Sequence, residues 1–175
     1  MNKRGLIIIF TGNGKGKTTA AVGTALRAAG QGLQVLIIQF IKKEKSGEIL
    51  AIEKHFKENL DIFTMGKGFL WDKNIPPELH KKKASEAFTL LKFAIKSQKY
   101  QLIILDEISL AINYGFIPVE EVINLLLTRP SELHIIMTGR SFPSRLKALA
   151  HTLTEFKELK HHYFFGYKNI KGIDF

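Results

Sequence analysis

Hydrophobic positions in this chain fall in short blocks, and the blocks alternate between two periods. Leu6 to Phe10 is a continuous apolar run of strand length, followed by a turn with three glycines. Thr18 to Ala29 is alanine-rich with helical spacing, closed by Gly30 and Gly32. Val35 to Phe40 is again a buried-strand run, and Ser46 to Phe56 spaces Ile49, Ile52 and Phe56 along one helix face behind Glu48. Leu60 to Met65 predicts a short strand, and Gly66 to Pro77, with two glycines and two prolines, a loop. Glu78 to Ser97 places Ala84, Ala87, Phe88, Leu91 and Ala94 on one side of a long amphipathic helix. Leu102 to Leu105 is a third strongly apolar run, Pro118 to Thr128 a helix with proline in its first turn, and Leu133 to Met137 a strand. A short helix near Ser144 to Ala150 and two last strands, Thr152 to Leu159 and the tail, complete the expectation.

Strands alternating with helices predict an α/β fold: a mostly parallel sheet with helices on both faces, as one domain over residues 1–175. Ligands of such sheets bind beyond the carboxyl ends of the strands. Three polar features fall at such ends: the turn at Gly12, the acid pair Asp106-Glu107, and Thr138-Gly139-Arg140.

The first of these carries the most chemistry. Gly12, Asn13, Gly14, Lys15, Gly16, Lys17, Thr18 and Thr19 join a strand to a helix N-terminus, the layout of a phosphate-binding P-loop. Glycines let backbone N–H groups converge on an anion, and the helix dipole adds partial positive charge. Lys17 reaches a bridging or terminal phosphate, and the Thr18 hydroxyl faces Mg²⁺. The match to G-x-x-x-x-G-K-[ST] is displaced by one, since Thr11 stands where the first glycine is usual and Gly12 follows it. A dinucleotide fingerprint does not fit, because no third glycine completes the G-x-G-x-x-G spacing. The run Leu102-Ile103-Ile104-Leu105-Asp106-Glu107 resembles a Walker-B strand, so that one acid contacts the metal directly or through water and the other orients a second group. Phe69 and Trp71, one residue apart in a loop, either cover a ligand or pack on the neighbouring helix.

Composition narrows the class. The chain has 175 residues, 45% of them apolar, enough for a full core, and no apolar run of membrane-spanning length. The absence of cysteine excludes disulfides, thiol catalysis and cysteine metal sites. With only five apolar residues after Met1-Asn2-Lys3-Arg4, a signal peptide is not expected, and a cytoplasmic location is. The net charge of +10 favours anionic partners, but Lys42-Lys43-Lys45 and Lys81-Lys82-Lys83 lack interleaved aromatics, so nucleic acid is not expected.

TGNGKGKTTAA, VLIIQFIK, MGKGFLW, LDE with its following apolar helix, RP before a strand, TGR, and the closing GID-aromatic occur in this order. The ordered set, from Gly5 to Phe175, resembles the P-loop ATP:corrinoid adenosyltransferases. The resemblance implies a P-loop NTPase-like (RecA-like) fold and transfer of the 5′-deoxyadenosyl group of ATP to the Co(I) centre of cobalamin or a precursor, with release of triphosphate. Cobalt is then the nucleophile, and the protein's task is positioning and stabilising the leaving triphosphate. The resemblance assigns Lys17 and Glu107 to catalysis, and the Gly12–Thr19 loop with Arg27 and Arg140 to ATP. It assigns Thr18 and Glu107 to Mg²⁺ (or Mn²⁺), beside Asp106 from the Walker-B-type run, and Phe69 and Trp71 to the lower face of the corrinoid, where they exclude the axial ligand. It further implies a reversed nucleotide on the loop, a reduced flavoprotein as electron donor, and a homodimer. Some members carry an N-terminal extension over the corrinoid; with four residues ahead of Gly5, that lid is expected to be missing or supplied otherwise. Two other classes compete: a P-loop ATPase, which would yield ADP and phosphate, and a non-catalytic corrinoid or nucleotide carrier, which would not need both Lys17 and Glu107.

Overall fold

The computed structural model describes residues 4–68, 74–168 and 170–174. Six strands form one sheet: β1 (Ile7–Thr11), β2 (Val35–Gln39), β3 (Leu60–Thr64), β4 (Leu102–Asp106), β5 (His134–Thr138) and β6 (Thr152–Glu155). Their order is β3-β2-β4-β5-β1-β6, and every pairing is parallel. Parallel neighbours need crossovers, and the helices supply them: α1 (Lys17–Gly30), α2 (Gly47–His55), α3 (Pro77–Ser97), α4 (Ile108–Asn113), α5 (Val119–Thr128) and α6 (Ser144–Ala148).

The period-two rule divides the core. On β2, Leu36 and Ile38 join Ile103, Leu105, Ile135 and Met137 beneath α3, α4, α5 and α6. Val35 and Ile37 point the other way and join Leu102, Ile104 and Ile136 against Ala21, Val22, Ala25 and Ala29 of α1 and Ile52 of α2. Strands covered on both faces are buried at every position, so β2 and β4 are apolar up to their last residues, Gln39 and Asp106. The small residues of α1 let that helix lie close to the sheet, directly after the loop it follows.

The sequence expectation fails at the end of the chain. The tail is not a second final strand: after β6 the chain forms a 3-10 turn, His162–Phe165, and turns beyond it. β6 itself is an exposed edge strand held by β1 alone, and the segment after it, with Lys157, Glu158 and Lys160, has no apolar alternation to sustain a ladder. The apolar helix after the acid pair is α4, and Glu107 precedes it in the left-handed region at φ 59°.

Candidate active site

Every polar feature named above lies at the carboxyl edge of the sheet. β1 ends in Thr11, whose hydroxyl donates to the Arg140 carbonyl at 3.2 Å, and Gly12 turns the chain at φ 98°. The displaced motif has a structural cause. The N–H of Phe156 donates to the Thr11 carbonyl, the N–H of Gly14 donates to the Phe156 carbonyl at 2.8 Å, and a Cβ on Gly12 would lie 2.3 Å from that carbonyl oxygen. Glycine is therefore required where the edge strand closes on the loop, one place after the usual position. Gly16, at φ 112°, then starts α1 with no side chain capping its N-terminus, which leaves the first-turn N–H groups to the loop's concave side.

Lys17 opens the helix and is buried; its ammonium donates to the Gly14 carbonyl at 2.9 Å. Burial holds it below its ordinary range, with the Glu107 carboxylate opposing and Arg140 adding to the depression. A buried cation held by one carbonyl is a strong site for an incoming polyanion. Lys15, on the outer side of the loop, pairs with Asp174 of the closing GID segment. The Ile170 N–H and Lys15 hold the Asp174 carboxyl down at about 2.

The two acids differ sharply. Asp106, at the tip of β4, is 1% exposed and both its oxygens are engaged. Oδ1 accepts from Thr18 Oγ1 and Thr138 Oγ1, each at 2.8 Å, and Oδ2 accepts from Gln39 Nε2 at 3.0 Å. Glu107 sits in the left-handed region, its N–H donating to Thr138 Oγ1 at 2.9 Å. Its Oε2 is buried without a hydrogen-bond partner, and burial first, then Asp106, raises its carboxyl above the usual range against the pull of Lys17. A buried carboxylate oxygen without a partner suits a hard divalent cation, which takes oxygen ligands. Among the described residues no group of three or more His, Asp or Glu side chains could hold a metal alone. Such a cation would therefore depend on nucleotide phosphates or water for its remaining ligands.

Arg140 follows the tight Thr138-Gly139 turn; its carbonyl also accepts from the Gly12 N–H at 3.2 Å, so its charge stands beside Lys17 and Glu107. Arg27 is exposed in the last turn of α1, ten residues beyond Lys17 and thus about 15 Å along the axis, apart from this cluster. Phe69 and Trp71 lie outside the described residues.

The family model of the ATP:corrinoid adenosyltransferases BtuR/CobO/CobP matches residues 3–175. The chain belongs to the ATP:corrinoid adenosyltransferase family. The corrinoid adenosyltransferase of Escherichia coli K12 is 38% identical over 175 residues, spanning 99% of this chain and 87% of that protein. The corrinoid adenosyltransferase CobA of Salmonella typhimurium is 37% identical, spanning 99% and 87%. Solved structures share the fold at low identity. The flagellar accessory protein FlaH of Methanocaldococcus jannaschii superposes with TM-score 0.57 at 17% identity, over 87% of this chain and 71% of that one. The KaiC-like protein PH0186 of Pyrococcus horikoshii does so with TM-score 0.52 at 15% identity, over 96% and 76%. Among the described residues no helix of this adenosyltransferase is long and apolar enough to cross a membrane.

At this candidate site the sequence reading missed Gln39, which it counted within the Val35–Phe40 run, and the contacts of Thr138, which it placed only in a turn at a strand end. The available signal was a polar residue closing a fully apolar run in a central strand, a position where burial demands a partner.

Proposed function

We propose that this member of the family transfers the 5′-deoxyadenosyl group of ATP to the Co(I) centre of a corrinoid and releases triphosphate. The observation that supports the reading best is the buried Lys17 ammonium under a glycine-walled helix N-terminus, with Thr18, Asp106 and Glu107 beside it. This is machinery for holding an anionic leaving group. Co(I) supplies the electron pair and attacks C5′ of the ribose; the C5′–O bond breaks, and its electrons leave with the triphosphate. No protein nucleophile is needed, and the chain has no cysteine to offer. Lys17 and the first-turn N–H groups of α1 take up charge as it develops on the leaving oxygen.

Thr18 and Glu107 would hold Mg²⁺ (or Mn²⁺), with Asp106 backing the Thr18 hydroxyl. The cation supplies charge neutralisation on the phosphates. Arg140 is placed to add a further positive charge at the loop. A reversed nucleotide, α-phosphate side deepest, brings the leaving oxygen nearest to this cluster. On the sequence resemblance, Phe69 and Trp71 pack against the corrinoid's lower face, and Arg27 reaches the nucleotide from farther along α1. A reduced flavoprotein that generates Co(I), a homodimeric assembly and a cytoplasmic location complete the proposal.

The test mixes the protein with MgATP and chemically reduced cob(I)alamin without oxygen and in dim light. Adenosylcobalamin, read from the visible spectrum, together with triphosphate, both lost in Lys17→Ala, is the expected result. ADP and phosphate with an unchanged corrinoid spectrum would replace the transferase by an ATPase. Binding of either substrate without any product would point to a carrier.

A further inference from the structure

Gln39 ends β2, the strand between β3 and β4, and is 2% exposed. A buried amide has four hydrogen-bonding positions to satisfy, and its two ends are not interchangeable. Asp106, already accepting from two hydroxyls, can only accept again, so the Gln39 nitrogen must face it, as it does at 3.0 Å. The Gln39 oxygen is then left for the Thr64 hydroxyl, 3.4 Å away at the end of β3. The backbone holds this arrangement in register: Gln39 pairs with Thr64 on one side and Asp106 on the other. The Phe40 N–H donates to the Asp106 carbonyl, and the Met65 N–H to the Gln39 carbonyl, each at 3.0 Å.

We propose that Gln39 is a positioning residue for adenosyl transfer: it fixes the carboxylate of Asp106, which in turn aims the Thr18 hydroxyl at the cation site of the nucleotide. The proposal rests on the nucleotide site proposed above and adds a residue that touches neither substrate nor cation. Without the Gln39 donor, Oδ2 of a buried carboxylate loses its hydrogen-bond donor among the described residues, and the carboxylate is free to turn away from Thr18. A side chain that merely fills space at this position would leave nucleotide affinity unchanged when replaced by an apolar group of similar length.

Two variants separate these roles. Gln39→Met keeps the volume and removes both hydrogen bonds. Its affinity for MgATP, measured calorimetrically without corrinoid, is expected to fall by about tenfold or more, the scale of one hydrogen bond to a charged group. The KM for corrinoid should stay within about twofold, because the lost bond lies on the nucleotide side. Gln39→Asn is the milder probe: it keeps an amide but is one methylene too short to hold Asp106 Oδ2, so it should lower MgATP affinity in the same direction. If Gln39 acts through Asp106 on Thr18, the loss caused by either variant should shrink in a Thr18→Val background. Wild-type MgATP affinity in a folded Gln39→Met or Gln39→Asn, or an equal loss with and without Thr18→Val, overturns the proposal. Should Gln39→Met not fold, Gln39→Asn still decides. Because nucleotide binding is read without corrinoid, failure of the wild type to form adenosylcobalamin would count against the transferase reading and leave this measurement intact.

Discussion

Thr138 is the hydroxyl on which the two acids turn, and replacing it with valine tests that role. The Thr138 side chain is fully buried; it donates to Asp106 Oδ1 at 2.8 Å and accepts from the Glu107 N–H at 2.9 Å. Thr138→Val keeps the shape and deletes both bonds. The Glu107 N–H becomes a buried donor without an acceptor, at a cost of about 1–3 kcal/mol. Asp106 loses a donor to a charged group, about 1.5–3 kcal/mol. The added methyl returns about 0.8 kcal/mol of apolar burial. The net expectation is a loss of about 2–5 kcal/mol, a large part of a typical domain's stability of about 5–15 kcal/mol. Thr138→Ser is the control: it keeps both hydrogen bonds and loses one buried methyl, about 1 kcal/mol. Urea unfolding at constant m-value should therefore order the proteins wild type, then Ser, then Val. Activity should follow the same order, since Glu107 is held at φ 59° by the bond that valine removes. A valine variant at least as stable as the serine variant would refute the reasoning.

Two other outcomes follow from the same geometry. The Glu107 carboxyl is raised above its ordinary 4.5, and that net shift already includes the attraction of Lys17. The folded state therefore binds this proton more tightly than the unfolded chain, so its contribution to stability is present below pH 4.5 and is lost as pH rises through the raised value. Glu107→Gln should melt higher than wild type at pH 8 with little difference at pH 4, while losing about tenfold or more in adenosyl transfer; an equal rise at both pH values would trace the gain to packing. Gly139→Ala should abolish soluble folded protein, because at φ 153° its Cβ would lie 1.8 Å from Ser109 Oγ and 2.5 Å from Ser109 Cβ. Adding Ser109→Ala removes the first clash and not the second, so recovery of folding in the double variant, read by thermal melting, would contradict this packing.

Strands, helices and loop chemistry were legible in the sequence because each is specified locally. Apolar runs such as Val35–Ile38 suit strands buried on both faces, alanine spacing makes a close-packed helix of Lys17–Gly30, and Gly-Lys-Thr at a strand-to-helix turn carries phosphate chemistry by itself. The acid pair was legible for the same reason. The second final strand was misread because apolar content alone does not supply a neighbouring strand, and a parallel edge position exists only where β1 offers one. The division of labour between the acids could not be read locally either. Asp106 is engaged by Thr18, Gln39 and Thr138, which are 88, 67 and 32 residues away in sequence, whereas the adjacent Glu107 keeps a buried oxygen without a partner. The requirement for glycine at Gly12 likewise comes from the Phe156 carbonyl, brought to the loop by an edge strand at the far end of the chain. Local composition specifies which groups exist and which element carries them; hydrogen-bond satisfaction in a dry interior depends on which strand tips meet and which helix end lies over them, and the tertiary fold decides that.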